Sequence, residues 1–184
     1  VVGKMWFALF SQSGSEIVQV ANQLGRWPDY IFTDNKDKKS WHKDLRKHSA
    51  VSIVKHTDMK REIEGYISMF QGLRGTTPIV TLHGYLRILP ELKCEVYNGH
   101  PGDIIKYPEL KGIHPQKKAL DLGLKSTGTV IHKVTEEVDG GEVLLYNTYG
   151  MRGDETVEIL SDRLRNISIN LWTKFLRSKV FETV

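Results

Sequence analysis

The sequence predicts an α/β fold: a Rossmann-like, open, mostly parallel sheet with helices on both faces, closed by a long C-terminal helix. Three observations carry this expectation. Short apolar runs alternate with segments of helical period through the first half of the chain, glycine punctuates the junctions, and the last stretch keeps an unbroken 3- and 4-residue apolar spacing. Alternating strand and helix signals imply parallel strands, because a parallel pair needs a crossover and the crossover helices then cover both faces.

MWFALF (5–10) is a continuous apolar run of strand length, and Ile17, Val18, Ala21 and Leu24 follow on one helical stripe closed by Gly25. DYIFT gives a second strand, Trp41 and Leu45 at i, i+4 suggest a charged helix, and AVSIV (50–54) gives a third strand. Ile63, Tyr66, Ile67 and Phe70 repeat the helical spacing before PIVTL (78–82), the fourth strand. After Gly84 the rhythm changes. CEVYN is a buried strand, 101–115 a long loop and 116–122 a short helix, while GTVIHKVT (128–135) and GEVLLYNTYG (141–150) flank EEVDGG as a hairpin-like pair. Val157, Leu160, Leu164, Ile167, Leu171 and Phe175 mark the long terminal helix.

A chain of 184 residues suits a single domain, residues 1–184. No repeat or linker suggests a second. The net charge of +4 fits an anionic ligand as readily as nucleic acid. Cys94 is the only cysteine, so neither an intrachain disulfide nor a cysteine-based zinc site can form, and a reducing cytoplasmic location is expected. No apolar run approaches the ~18 residues of a membrane span, and VVGKMWFALFSQSGS lacks the pattern of a full signal peptide. No metal is expected, since the histidines show no HExxH or similar spacing.

Three short stretches could carry chemistry. In CEVYNGHPGD, Asn98 and His100 share a face if the segment is a strand, which Pro101 would end. An amide and an imidazole at a strand's carboxyl end can stabilise an oxyanion or move a proton. The other reading is an Asn98-Gly99 hairpin turn with an exposed histidine. In EEVDGG (136–141) the glycines permit positive φ, and a carboxylate held in such a turn can accept from an imidazole and raise its pKa; for Glu136 and Glu137 a solvated turn is preferred. In SGSE (13–16) a helix N-terminus could attract an anion, or Ser13 or Ser15 could cap the helix with Glu16 in its first turn. GxGxxG and Walker patterns are absent, and the basic run at 34–48 reads as a solvated helix face.

Taken in order, SGS (13–15), GYLRILP (84–90), NGHP (98–101), KYP (106–108), STGTVIH (126–132) and VTEEVDGG (134–141) resemble the pattern of the folate-dependent formyltransferases, and within them the phosphoribosylglycinamide branch. The resemblance runs from about residue 5 to residue 175. It implies the formyltransferase fold, and Asn98, His100 and Asp139 as the catalytic group. Backbone atoms of Leu86, Arg87, Ile88 and Leu89 would hold the pterin of 10-formyltetrahydrofolate, and Thr135, Glu136, Glu137 and Val138 would line its other side. Asn98 and His100 would stabilise the oxyanion formed as an amine attacks the formyl carbon, and Asp139 would keep His100 protonated enough to donate.

Gly14, Ser15 and Glu16 fall where the resemblance implies an acceptor phosphate. The pattern there is G-S-N, and a carboxylate in that place repels phosphate. Leu164 aligns with an acidic residue of the C-terminal helix, and PELKGIHPQKK lengthens the loop after Tyr107. A changed acceptor pocket follows, for an amino-bearing nucleotide or amino sugar nucleotide, or for glycinamide ribonucleotide held differently. The expected partners are a small-molecule amine and the folate, with no membrane and no nucleic acid. Purine biosynthesis is the process implied. Two other activities use the same pieces: hydrolysis of formyltetrahydrofolate with water as acceptor, and non-catalytic nucleotide or RNA binding.

Overall fold

The computed structural model describes residues 3–181. It forms a mixed, mostly parallel sheet with flanking helices and a long C-terminal helix, and the chain divides into two compact units.

The first unit runs to Tyr97 and takes back the chain from Leu176. Its strands are β1 (Trp6–Phe10), β2 (Tyr30–Thr33), β3 (Val51–Ile53), β4 (Ile79–Leu82) and the start of β5 (Glu95–His100), in the order β3-β2-β1-β4-β5. β1 pairs in parallel with both β2 and β4, and β2 in parallel with β3. All five residues of β1 are buried, which explains why WFALF reads as a continuous apolar run and not an alternating one.

α1 (Ser15–Leu24) buries Ile17, Val18, Val20, Ala21 and Leu24, each large side chain contributing roughly 1.5–3 kcal/mol. Gly25, left-handed at φ 75°, ends it by donating its N–H to the Ala21 carbonyl. α3 (Met59–Arg74) buries Met59, Ile63 and Ile67, and its Tyr66 and Phe70 join Phe7, Tyr30 and Phe32 in an edge-to-face and tilted aromatic cluster.

One helix expectation is corrected. Trp41 and Leu45 do not share a helix: a 3₁₀ turn covers Lys38–Ser40, Trp41 is extended, and α2 is only Lys43–Arg46. Side chain to backbone bonds win locally. Arg46 donates through Nε to the Trp41 carbonyl and through a guanidinium N–H to that of Lys39, and Asp37 accepts from the Lys39 amide, so this basic run closes on itself.

The second unit, Asn98 to Phe175, holds the end of β5, α4 (Pro115–Asp121), β6 (Ser126–Lys133), β7 (Val143–Gly150) and most of α5 (Val157–Val180). β6 and β7 are antiparallel from Ser126 opposite Gly150 to Ile131 opposite Leu145, with an irregularity between Ile131 and His132. Ile104, Leu110, Ala119, Val130, Leu160 and Leu164 form this unit's core. The long loop holds a 3₁₀ turn at Pro108–Leu110, and Leu110 anchors it in that core. Among the described residues no helix is long and apolar enough to cross a membrane.

Candidate active site

β5 continues through Asn98 and Gly99 to His100, so the Asn98-Gly99 pair is strand and not hairpin. Gly99 has no positive φ; its glycine is demanded by space, since a Cβ there would lie 2.8 Å from Nε1 of Trp172. Asn98 and His100, two apart, therefore occupy one face at the strand's carboxyl end. Pro101 ends the strand, and the turn after it is fixed by the Gly102 N–H donating to the His100 carbonyl at 3.0 Å.

Asp139 is the only residue of the acidic turn that folds inward. Glu136 and Glu137 are exposed, as the sequence suggested, and Asp139 is 9 % exposed. The expected role of the glycines is corrected. The left-handed residue is Asp139 itself, at φ 53°, a conformation that aspartate tolerates better than most side chains. Gly141 is required by close approach, because a Cβ would sit 1.7 Å from the Lys133 carbonyl oxygen.

This turn brings the Asp139 carboxylate between two imidazoles. Nδ1 of His100 lies 3.4 Å from its Oδ2, and Nε2 of His132 lies 3.2 Å from its Oδ1. The Gly112 amide donates to Oδ2 at 2.7 Å. On the far side of His100, Nε2 is 2.8 Å from the Leu110 carbonyl, which can only accept. A short Nε2 bond and a long Nδ1 separation assign neutral His100 its proton on Nε2.

Burial pushes His100 below the ordinary imidazole value; the Asp139 charge and the Leu110 carbonyl pull it back up without overcoming that loss of solvation. Asp139 raises the His100 value and burial outweighs it, so the net shift is downward. At neutral pH the ring is a neutral donor. Asp139 itself stays below its ordinary value: burial raises it, but hydrogen bonding to His132, the His100 ring and the Gly112 amide together outweigh that.

Comparison with known proteins bears on this arrangement. The family model described as formyl transferase matches residues 8–175. The chain belongs to the formyl transferase family. Phosphoribosylglycinamide formyltransferase of Escherichia coli (strain K12) is 40 % identical over 72 residues, covering 36 % of this chain and 32 % of that protein. Methionyl-tRNA formyltransferase of Thermotoga maritima is 34 % identical over 135 residues, 71 % of this chain and 41 % of that one. The chain spans about 9 % of the trifunctional purine biosynthetic protein adenosine-3 of Bos taurus, with 35 % identity over 95 residues. Among solved structures, phosphoribosylglycinamide formyltransferase from Anaplasma phagocytophilum superposes with a TM-score of 0.76 at 21 % identity, covering 95 % of this chain and 86 % of that one. At that identity the likeness shows the shared fold.

The remaining residues that formyl transferase resemblance singled out lie in each unit as follows. In the first, Leu86, Arg87 and Ile88 are exposed and Leu89 half-buried, outside any helix or strand. The Leu86 amide donates to Ser11 Oγ, whose hydroxyl donates to Asp34, and Arg87 Nε faces the same carboxylate at 3.5 Å. Gly14 is left-handed at φ 69° and is itself the N-cap of α1, so neither serine caps the helix; Ser13 Oγ instead accepts from the Ser15 amide at 3.3 Å. Glu16 turns toward His83, with Oε1 2.7 Å from Nδ1.

In the second unit, Thr135 and Val138 are exposed, like the glutamates between them. Leu164 is buried in the core, so α5 presents no acid at that position. Sequence reasoning gave no role to His132 or His83. The available signal was a histidine inside or directly after a strand-like apolar run, GTVIH and PIVTLH, where a buried imidazole must find a polar partner.

Proposed function

We propose that the protein transfers a formyl group from 10-formyltetrahydrofolate to the amine of a small acceptor, with Asn98, His100 and Asp139 as its working group. One observation carries this reading: a buried imidazole at the carboxyl end of β5, sharing a face with an amide, is held by a buried carboxylate from a distant turn. Membership in the formyl transferase family supports it.

The neutral Nε2–H of His100 and the amide N–H of Asn98 are the donors offered where negative charge builds on the formyl oxygen. The His100 proton is spent on the Leu110 carbonyl at 2.8 Å, so donation requires exchanging that bond for one to the reacting oxygen. Asp139, with Oδ2 3.4 Å from Nδ1, acts on the ring through its charge and is a positioning residue.

The segments fit a folate. In the first unit Leu86 and Ile88 are apolar yet 67 % and 85 % exposed, surface that an aromatic bicycle would cover; in the second, Val138 is 59 % exposed. In the first unit residues 86–89, and in the second residues 135–138, lie outside the ladders, which supports the reading that their peptide groups would hydrogen-bond a folate. When bound, the folate supplies the formyl group. The chain's own side chains bind, orient and stabilise charge.

A small acceptor is proposed on the likeness to phosphoribosylglycinamide formyltransferase; in the basic 34–48 run Arg46 is folded onto its own backbone while the lysines are exposed. The test is formyl transfer from 10-formyltetrahydrofolate to a panel of phosphorylated and unphosphorylated amines, with a no-acceptor control. Amine-dependent loss of the folate's formyl group is expected. Equal loss without any amine replaces the reading with hydrolysis, and no loss together with no thermal shift on adding the folate overturns enzymatic function.

A further inference from the structure

Open α/β sheets take ligands outside the carboxyl ends of their strands, where the strand order reverses. In the first unit the chain runs outward from β1 through β2 to β3 and then returns to lay β4 on the other side of β1, so the reversal lies at the ends of β1 and β4. A cavity of about 460 Å³ opens beside it. Its walls are Ser11 from the end of β1, Asp34, Asn35 and Lys36 from the end of β2, and Leu86 and Arg87 from the segment after β4. All six belong to the first unit.

Some of these groups build the cavity and others are left facing it. Ser11 donates its hydroxyl proton to Asp34 Oδ1 at 2.7 Å and accepts from the Leu86 amide at 3.0 Å, while its own amide donates to the Gly84 carbonyl at 3.2 Å. The Asn35 side chain is likewise consumed, donating to the Gln12 carbonyl at 2.7 Å and to Ser40 Oγ at 2.8 Å and accepting from the Asp37 amide at 2.9 Å. What remains is charge. The Asp34 side chain is only 13 % exposed, and its Oδ2 faces Arg87 Nε at 3.5 Å, longer than a good hydrogen bond. Arg87 is exposed, and Lys36, also exposed, pairs with no acid among the described residues.

Opposite charges set side by side, each with hydrogen-bonding capacity unmet, match a ligand that carries the same pair reversed. In an α-amino acid the ammonium and carboxylate are joined through a single carbon, so the ammonium can meet Asp34 Oδ2 while the carboxylate meets the neighbouring cations. Leu86, apolar and largely exposed, offers a wall for the ligand's side chain. We propose that this cavity binds an α-amino acid with an apolar side chain, Asp34 taking its ammonium and Lys36 and Arg87 its carboxylate. A sugar phosphate fits less well, because a dianion drawn to Arg87 also lies within reach of the Asp34 charge. The formyl-transfer reading uses the peptide groups of 86–89 and this site the side chains of Asp34, Lys36 and Arg87, so either can fail alone.

Calorimetric titration of the full chain with L-leucine and L-phenylalanine tests it, beside N-acetyl-L-leucine, which lacks the ammonium, L-leucinamide, which lacks the carboxylate, and adenosine monophosphate. Wild type is expected to bind both amino acids, with each blocked derivative weaker by about tenfold or more, as for loss of a charge-assisted hydrogen bond. Asp34→Asn, whose amide oxygen still accepts from Ser11, is expected to weaken leucine by a similar factor and to leave N-acetyl-L-leucine unchanged. Lys36→Ala is expected to weaken leucine and leave leucinamide unchanged, and as a change at an exposed side chain it decides should the asparagine protein fail to fold. No binding of either amino acid at millimolar concentration, equal affinity for the blocked derivatives, or unchanged leucine affinity in the folded variants overturns the proposal. Binding of adenosine monophosphate without the amino acids overturns it in favour of a phosphorylated sugar.

Discussion

If Asp139 acts only by positioning His100, removing both must cost no more than removing the histidine. The structure gives the terms. His100 supplies one preorganised donor, and loss of such a donor costs on the order of 10²–10³ in kcat, roughly 2.7–4 kcal/mol. Asp139 reaches the reacting region through His100 Nδ1 at 3.4 Å. In Asp139→Asn the retained oxygen can still accept from Gly112, but the negative charge is lost. Independent sites add to within ~0.3–0.5 kcal/mol, a factor of about two. In the His100→Ala background, adding Asp139→Asn is therefore expected to change kcat by no more than about twofold. The assay is steady-state formyl transfer by all four proteins, each checked by thermal melting, because His100→Ala also leaves the buried Leu110 carbonyl without its donor, at about 1–3 kcal/mol of stability. Multiplying losses in the double variant would refute the positioning role, and near-normal turnover in His100→Ala would refute the assignment of the site.

Other expectations follow from the same geometry. With His100 held below its ordinary value of 6.5, its contribution to stability is full above about pH 6.5 and is lost as pH falls through the lowered folded value; a pH series of melting temperatures in wild type and His100→Gln checks this, and superimposable profiles would contradict it. Glu155, held down to about 2 chiefly by the Arg152 amide and also by the Gly153 amide and the Tyr149 hydroxyl, stabilises the chain above its ordinary 4.5 and loses that effect as pH falls toward 2, so Glu155→Gln should flatten the acid-unfolding curve in this window. Gly99→Ala should lower stability by about 1–3 kcal/mol through overpacking against the Trp172 indole, read as a lower denaturant midpoint with unchanged slope.

The sheet's first half was legible because buried parallel strands and one-sided helices write different periods, as in WFALF and the Ile17–Val18–Ala21–Leu24 stripe. The Trp41–Leu45 spacing carried no such information: four residues of helix cannot show a period, and Arg46, Asp37 and the backbone carbonyls decided the local path. Asn98 and His100 were legible as a pair because alternation in a strand needs no knowledge of the rest of the fold. Their partner was legible only through the family pattern, since nothing local says that Asp139 and not Glu136 or Glu137 turns inward. His132 and His83 were invisible for the same reason, each depending on a contact remote in sequence. The sign of the His100 shift also required the fold, because it is the balance between burial and one carboxylate.

On the proposed reading, Asp139 joins catalysis to architecture in a way that limits how either can change. Its left-handed backbone places Oδ2 to accept from Gly112 in the long loop and Oδ1 beside His132 on β6, so one carboxylate fastens the loop that also supplies the Leu110 carbonyl capping His100. Releasing His100 Nε2 for a substrate oxygen therefore need not loosen the carboxylate, because the two are tied to different peptide groups, Leu110 and Gly112. On the proposed reading, a shift of the Leu110 peptide would free the donor while Gly112 still holds Asp139. Glutamate at 139 would fail on both counts: it is one methylene longer, and it would have to hold the left-handed backbone that aspartate tolerates more readily.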